Sequence, residues 1–292
     1  MNAGSGRLDA RAIVLAVLCM AVLGGSYTAG KTALHDLPPF GLLALRMAVS
    51  TAALGAYAAF AGTSLSQPLR YVLAQTAIFA LSQALLFVAL TMTTAGRAAI
   101  LFNMQPFFTL LLLPFAFAGE RVTARRWAGT GIAFGGVALV LAERGLGGGS
   151  LTGDLLALVA ALGWTANIIL NKRMPGQFNA VAMVFWNCLG AIPLFVLLTL
   201  IFEADAAWHV TAPAVAGILY LGVVAATLGF ALVAWLTRTY SASRVNIFVF
   251  LSPVFGVLIA WGLLGEPMSM QQALGALAVA AGILVVTVER GT

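Results

Sequence analysis

One segment of the chain matches a phosphate-binding motif in full. Residues 25–32 read Gly-Ser-Tyr-Thr-Ala-Gly-Lys-Thr, the pattern of a nucleotide-binding loop that lies between a buried strand and a helix. In that loop the phosphates sit at the N-terminus of the following helix. Residues 12–24, however, form an apolar run typical of a membrane helix. Because the chain contains 31 glycines, we interpret the match as fortuitous and expect no nucleotide hydrolysis.

The residues needed for other catalytic chemistry are few and poorly placed. His35 and His209 are the only histidines, and both fall in predicted loops. Cys19 and Cys188 lie inside apolar stretches, as packing residues do. Neither a Gly-x-Ser-x-Gly nucleophile elbow nor a His-Glu-x-x-His metal pair is present. The sequence therefore predicts no enzymatic activity, no bound metal and no cofactor.

Charged residues are nearly absent from the apolar stretches. The nine carboxylates fall near the ends of these stretches or in loops, so no mid-membrane acid is available for a proton relay. Arg46 is the one charge deep inside a stretch. Two interpretations are open: Arg46 neutralises a carboxylate of a bound solute, or it pairs with Asp36 or with carbonyl groups at a helix end.

The composition excludes a soluble globular protein. Hydrophobic residues make up 62% of the 292 residues and charged residues 8%, with a mean hydropathy of +1.02, whereas soluble domains carry about 25% charged residues. The net charge of +6 does not indicate nucleic acid, because no segment interleaves basic and aromatic residues. We expect the lipid bilayer as a partner and no nucleic acid. The first apolar stretch lacks a clear cleavage site, so we expect no cleavable signal.

Apolar stretches of about 20 residues, the length that crosses a bilayer core, recur along the whole chain. They predict an all-α polytopic membrane protein with about ten transmembrane helices, at residues 12–30, 39–61, 70–91, 96–118, 124–142, 153–171, 180–202, 213–236, 244–264 and 270–288. The connections between them are short, which leaves no room for an extramembrane domain.

The distribution of lysine and arginine predicts the orientation, since cytoplasmic loops carry the excess of both. With a cytoplasmic N-terminus, eleven basic residues fall on the cytoplasmic side, and only Lys31, Arg97 and Arg144 fall outside. We therefore expect a multi-pass protein of the cell inner (plasma) membrane with both termini in the cytoplasm.

The two halves of the chain resemble each other. Ala95-Gly96-Arg97 and Ala242-Ser243-Arg244 are 147 positions apart, and so are Pro106 and Pro253. Gly-Glu pairs follow in both halves, and so do matching glycines 146 positions apart. An odd number of spans per copy inserts the second copy upside down, which is the architecture of many secondary transporters. The sequence thus predicts two inverted five-helix repeats, residues 1–146 and 147–292.

Polar and aromatic side chains within the predicted spans indicate a candidate cavity, because polar groups in a bilayer usually face the bundle interior. Trp164, Asn167 and Asn171, for example, share one helix face. The candidate substrate-binding residues are Ser26, Tyr27, Arg46, Gln83, Asn103, Trp164, Asn167, Trp186, Asn187, Asn246 and Phe250. For each residue the alternative is a side chain that only holds neighbouring helices together.

Two prolines and two glycines have predicted mechanical roles. Pro106 and Pro253 interrupt the backbone hydrogen bonding of their helices. We expect them to act as hinges, with static kinks as the alternative. Gly131 and Gly135 are four positions apart, a spacing of small residues that predicts close helix packing.

These motifs resemble the drug/metabolite transporter superfamily, and more narrowly its ten-helix exporters with two EamA-type halves. The shared pattern is a small residue followed by Arg at the start of the fourth and ninth spans, a mid-helix Pro, and Gly-Glu at the end. Members often carry a Trp and a later Lys in the first span of each half, as Trp164 and Lys172 do here. In the first half Leu23 stands in place of the Trp, while Lys31 remains. The resemblance covers residues 12–288.

The resemblance implies a transporter that exports small amphipathic metabolites, most often amino acids, by alternating access through a central cavity. Aromatic amino acids are one candidate class, and a drug or a nucleotide or sugar derivative is another. Carriers of phosphorylated solutes would present more cationic groups than Arg46 and the loop lysines offer. A channel would show flux that does not saturate, and a non-transporting membrane protein would show a catalytic cluster or a large soluble surface. We expect a small-molecule substrate, and the sequence is compatible with a monomer.

Overall fold

The described elements of the computed structural model are all helices. The structure describes residues 10–116, 123–143, 149–173, 180–240, 245 and 247–287. In chain order the α-helices are α1 (Ala10–Ala33), α2 (Pro39–Ala61), α3 (Leu69–Met92), α4 (Ala95–Phe102), α5 (Gln105–Ala116), α6 (Ala124–Ala142), α7 (Leu151–Lys172), α8 (Ala180–Phe202), α9 (Ala212–Leu219), α10 (Phe230–Thr239), α11 (Leu251–Leu264) and α12 (Met270–Thr287). A π-helix (Tyr220–Gly229) joins α9 to α10, and a 3-10 turn (Ile247–Phe250) precedes α11.

The predicted all-α polytopic membrane fold is confirmed. The helices coincide with the ten predicted spans to within a few residues, although three of the spans are interrupted. Helices suit this composition because a bilayer core offers no water to satisfy backbone N–H and C=O groups. Among the described residues, six helical runs are each long and apolar enough to cross a membrane: Ala10–Ala33, Pro39–Ala61, Leu69–Met92, Leu151–Lys172, Val181–Phe202 and Ala212–Val233.

Two of the interruptions lie at the prolines singled out in the sequence. Pro106 is the second residue of α5, directly after the break that ends α4 at Phe102. Pro253 is the third residue of α11, directly after the 3-10 turn. Proline lacks the N–H that would continue the preceding helix, and it fits in the first turn of a new one. The predicted distortions are therefore present, while the role of these prolines as hinges stays a prediction.

Helices α6 and α12 pack closely through glycines, but not through the pair predicted. A Cβ built on Gly136 would lie 2.8 Å from the carbonyl oxygen of Gly275, and one on Gly129 would lie 2.9 Å from that of Gly282. A Cβ on Gly131 or Gly135 would meet nothing within 4 Å among the described residues. The expectation of close packing at Gly131 and Gly135 was therefore wrong, because the rotation of α6 turns that face away from α12.

Two helix N-termini at one end of the bundle are capped by carboxylates from other helices. Glu266, just after α11, accepts hydrogen bonds from the backbone N–H groups of Ala95 (2.8 Å) and Gly96 (3.1 Å) in the first turn of α4. Glu203, just after α8, accepts two bonds of 2.9 Å from the first turn of α2. A helix N-terminus carries partial positive charge, so a carboxylate stabilises it. We call this end of the bundle the Glu266 end.

The same end contains a buried ion cluster around Arg97. The Arg97 side chain is 2% exposed, and its Nη2 lies 2.5 Å from Asp154 Oδ2. Its Nη1 lies 3.2 Å from Glu143 Oε2, while Thr93 donates to the Asp154 carboxylate over 2.7 Å. The sequence placed Arg97 among the loop charges, whereas it lies buried in the first turn of α4. Burial is tolerated here because the guanidinium has two carboxylate partners.

Candidate functional site

A cavity of about 280 Å³ lies between the helices of both halves of the chain. Ligand pockets for drug-sized molecules span roughly 300–1,000 Å³, so this volume suits a small metabolite. The described residues of its wall are Met20, Leu23, Ser26, Tyr27, Arg46, Gln83, Leu86, Phe87, Leu90, Phe102, Asn103, Gln105, Trp164, Leu221, Ala225, Ala226, Val233, Val245, Val249 and Ser252.

Six of the predicted substrate-binding residues line this cavity: Ser26, Tyr27, Arg46, Gln83, Asn103 and Trp164. They come from α1, α2, α3, the break after α4, and α7. The bundle thus brings together residues that are up to 138 positions apart in the chain. Their role in substrate binding stays a prediction.

Arg46 is the one charged side chain in the cavity wall among the described residues. Its Nη1 donates a hydrogen bond of 2.8 Å to Gln83 Oε1, and its guanidinium carbon lies 5.2 Å from the ring centroid of Phe87. Its Nε is buried without a hydrogen-bond partner among the described residues. The alternative partner Asp36 accepts a hydrogen bond from Thr211 instead. Arg46 therefore lines the cavity, where its Nε is covered and the donors that a ligand could reach are those of its two Nη groups.

Asn103 occupies the break between α4 and α5. Its side-chain Nδ2 donates to the carbonyl oxygen of Ala99 over 2.7 Å and to Tyr27 Oη over 3.3 Å. The first bond satisfies a carbonyl at the end of α4, and the second ties this end to α1. The break therefore brings a carboxamide and a phenol to the cavity wall, which are neutral groups able to accept or donate hydrogen bonds.

Aromatic rings form a continuous apolar part of the wall. The ring centroids of Tyr27 and Phe102 are 6.2 Å apart, and those of Phe102 and Trp164 are also 6.2 Å apart. Behind the wall, Phe79 lies 5.8 Å from Trp164. Such tilted and edge-to-face contacts hold the rings in defined positions. The wall is therefore suited to an apolar or aromatic group.

The π-helix contributes apolar residues to the wall, which the sequence interpretation did not predict. Leu221, Ala225 and Ala226 line the cavity from this segment. Thr227 Oγ1 donates to the carbonyl oxygen of Gly222, five positions earlier, over 3.1 Å. The π-helical backbone is rare and often occurs at functional sites. No proline or charge marks this segment in the sequence, so only the structure identifies it.

Asn167 holds two helices together and does not line the cavity. Its Nδ2 donates to the carbonyl oxygen of Gln75 on α3 over 2.9 Å, and Asn171 donates to its Oδ1 over 2.9 Å. Both asparagines are buried. The alternative role stated for these residues, helix-to-helix bonding, is the one that the geometry supports.

Three further candidates lie away from the cavity wall, and a fourth cannot be placed. Trp186 donates from its indole Nε1 to the carbonyl oxygen of Leu65, in the connection between α2 and α3. Asn187 is buried on α8, and its Oδ1 has no hydrogen-bond partner among the described residues. Phe250 packs against the apolar cluster that α4 forms with α6, α11 and α12. Asn246 lies outside the described residues.

The phosphate-loop pattern at residues 25–32 lies within the continuous helix α1. Its lysine, Lys31, donates to the carbonyl oxygens of Leu90 and Thr93, the latter over 2.8 Å. A helical backbone cannot wrap around a phosphate as the nucleotide-binding loop does. The interpretation of this match as part of a membrane helix is therefore confirmed.

Several wall residues were missing from the sequence-based set. Gln105, Ser252 and Phe87 line the cavity, as do aliphatic residues of α1, α3 and α10. Gln105 and Ser252 lie within one residue of Pro106 and Pro253, so their position beside the predicted distortions was an available signal. The aliphatic residues carry no such signal, because apolar side chains fill every span.

Comparison with known proteins identifies the family. A model of the "EamA-like transporter family" matches residues 10–142 and again residues 151–288. A "Probable amino-acid metabolite efflux pump" of Escherichia coli (strain K12) is 31% identical over 93% of this chain and 93% of its own length. A relative with the same name from Salmonella typhimurium is 32% identical over the same shares. A crystal structure with 21% identity has a TM-score of 0.69 over 95% of this chain and 96% of that chain, which shows a common fold. This multi-pass membrane protein belongs to the EamA-like transporter family.

Proposed function

We propose that this protein exports small amphipathic metabolites through the cavity, foremost amino acids with apolar or aromatic side chains. The observation that carries the proposal is the position of Arg46 in a wall whose other described residues are neutral and largely apolar. The family is one of transporters, and the two bacterial relatives are named as amino-acid metabolite efflux pumps.

In this proposal each end of the substrate has its own partner. The carboxylate binds the guanidinium of Arg46, beside Gln83, because arginine pairs with carboxylates through two parallel hydrogen bonds. The side chain of the substrate lies against Phe102 and Trp164. A phosphorylated solute fits this wall less well, since it would bring two or more negative charges to a single cation.

We further propose that transport proceeds by alternating access between two inverted repeats, residues 1–146 and 147–292. Three close helix pairs join equivalent spans of the two halves, namely α2 with α8, α4 with α11, and α6 with α12. This is the pattern expected when one half is related to the other by a pseudo-two-fold axis. Pro106 and Pro253 then act as equivalent hinges in the fourth and ninth spans.

In the proposed orientation, the protein lies in the inner (plasma) membrane of the cell and both of its termini are in the cytoplasm. The Glu266 end then faces outward, and in this proposal the Glu266 cap and the Arg97 cluster are the contacts that close it. Opening it requires these contacts to separate, since they join α4 to the elements around it.

The test is transport by the purified protein in liposomes loaded with labelled amino acids, measured with and without a pH gradient. We expect saturable efflux of phenylalanine, tryptophan or leucine, and the pH dependence distinguishes a proton-coupled carrier from a facilitator. Efflux that rises linearly with concentration would indicate a channel. Absence of flux for every amino acid would refute the proposed substrate class.

A further inference from the structure

We infer that the cavity recognises its substrate by the carboxylate alone, so that the α-ammonium group of an amino acid is dispensable. The substrate class would then be apolar monocarboxylates, with amino acids as members of it. This inference rests on the proposed function and specifies which chemical group of the substrate the site requires.

The charge of the cavity wall is the first support. Among the twenty lining residues that the structure describes, Arg46 is cationic and none is acidic. The described part of the wall therefore carries a net charge of +1. A buried cation without a counter-ion is unfavourable, so a bound monoanion would neutralise the wall, whereas a zwitterion would leave its net charge unchanged.

The second support is the set of bonds that Arg46 already makes. A guanidinium has five N–H donors, and among the described residues Arg46 donates one hydrogen bond, to Gln83 Oε1 over 2.8 Å. The Phe87 ring covers the guanidinium at 5.2 Å, which partly compensates the charge but accepts no strong hydrogen bond. Donors at the cavity side of Arg46 are therefore left for a carboxylate.

The third support is the position of the described carboxylates, none of which lines the cavity; Asp205 is exposed, and the others have partners elsewhere. Glu266 and Glu203 cap helix N-termini, and Asp154 with Glu143 binds Arg97. Asp36 accepts from Thr211. Of the described residues, then, no acid reaches the cavity to pair with an ammonium group.

Neutral groups remain as the only polar partners for an ammonium group in the described wall. Asn103 and Tyr27 are already bonded to each other over 3.3 Å, and Ser26 donates to the carbonyl oxygen of Leu23 over 2.6 Å. Neutral acceptors repay less of the desolvation of an ammonium group than a carboxylate does, because only the carboxylate adds the Coulomb attraction between two opposite charges. The ammonium group therefore adds little to binding.

The experiment measures binding of four phenyl compounds to the purified full-length protein by titration calorimetry in detergent. Phenylalanine carries both charges, 3-phenylpropionate only the carboxylate, and 2-phenylethylamine and phenylalaninamide only the ammonium group. We expect 3-phenylpropionate to bind at least as tightly as phenylalanine. We expect the two amines to bind about tenfold or more weakly, because they lack the carboxylate that Arg46 would bind.

Two variants of Arg46 and one control assign the effect to the proposed group. Arg46→Gln should remove binding of both carboxylates, while Arg46→Lys should keep part of it. Arg70→Gln is the matched control, because Arg70 is exposed on α3 outside the cavity wall, and it should leave binding unchanged. If Arg46→Gln fails to fold, the four ligands on the unaltered protein still decide the question.

The outcomes separate this inference from the proposed function. If phenylalanine is transported in liposomes but binds about tenfold or more tightly than 3-phenylpropionate, the inference is wrong and amino-acid export stands. If 3-phenylpropionate binds in an Arg46-dependent way but no amino acid is transported, the inference stands and the proposed substrate class falls. Equal binding of amines and carboxylates, or no binding of any of the four, overturns the inference.

Discussion

The Glu266 carboxylate lies 3.1 Å from the backbone nitrogen of Gly96, and it binds the neighbouring N–H of Ala95 at 2.8 Å. These bonds join the end of α11 to the start of α4, 170 positions earlier in the chain. The α4 helix leads directly to Asn103 and the cavity wall. A contact at the Glu266 end is therefore coupled mechanically to the position of a wall residue.

Replacing Glu266 with glutamine should lower the stability of the folded protein. The variant loses the negative charge that stabilises the helix N-terminus, a loss of about 1 kcal/mol. Thermal unfolding in detergent should show a lower midpoint for Glu266→Gln and for Glu203→Gln, which has the same geometry at α2. Asp205→Asn is the control, because Asp205 is exposed. Equal midpoints for all three variants would contradict a stabilising role of the caps.

Gly136→Ala should destabilise the protein, and Gly131→Ala should not. The added methyl at position 136 would lie 2.8 Å from a backbone oxygen of α12, and overpacking of this kind costs about 1–3 kcal/mol. At position 131 the methyl meets open space, and alanine favours the helix by up to about 1 kcal/mol over glycine. Unfolding midpoints and folded yields in detergent measure both effects. A Gly131→Ala variant that is as unstable as Gly136→Ala would show that α6 packs through a different face.

Trp164→Ala should weaken substrate binding, whereas Asn167→Ala should weaken the fold. The indole of Trp164 lines the cavity, and an aromatic contact contributes about 0.5–1.5 kcal/mol beyond the buried area. The Km of transport should therefore rise several-fold. Asn167 bonds α7 to the backbone of α3, so its loss should lower the unfolding midpoint. Trp261→Ala, which removes an exposed indole on α11, should leave the Km unchanged.

Pro106→Ala and Pro253→Ala should slow transport without changing binding affinity. Alanine restores the N–H that proline lacks, which allows the fourth or ninth span to close into a more continuous helix. Single-turnover transport and equilibrium binding of the same substrate separate the two effects. Pro114→Ala is the comparison, because Pro114 lies inside α5 away from the break. Unchanged turnover in both variants would mean that the prolines form static kinks.

The number and position of the helices were predictable from the sequence because the bilayer imposes them. Each apolar stretch of about 20 residues must satisfy its own backbone hydrogen bonds in lipid, which is a local requirement. The ten spans therefore coincide with the described helices to within a few residues. The distortions at Pro106 and Pro253 were predictable for the same reason, since proline acts on its own helix.

Which side chains meet in the cavity was decided by tertiary structure. Trp164 and Asn167 share one helix face, yet the first lines the cavity and the second bonds to α3. The difference depends on the rotation of α7 against its neighbours, and sequence spacing alone does not contain it.

The rotation of helices against their neighbours also decided which glycines lie at a helix contact and where the π-helix forms. Gly131 with Gly135, and Gly129 with Gly136, are both credible packing pairs by spacing, and only the position of α12 distinguishes them. The π-helix at Tyr220–Gly229 depends on how α9 and α10 pack against the helices around them. By itself, then, the sequence determined that this protein forms about ten membrane-spanning segments and that two of them are distorted at prolines. Tertiary packing determined that Arg46, Tyr27, Asn103 and Trp164 face one cavity, because in an apolar bundle the neighbours of a side chain follow from helix rotation and not from local composition.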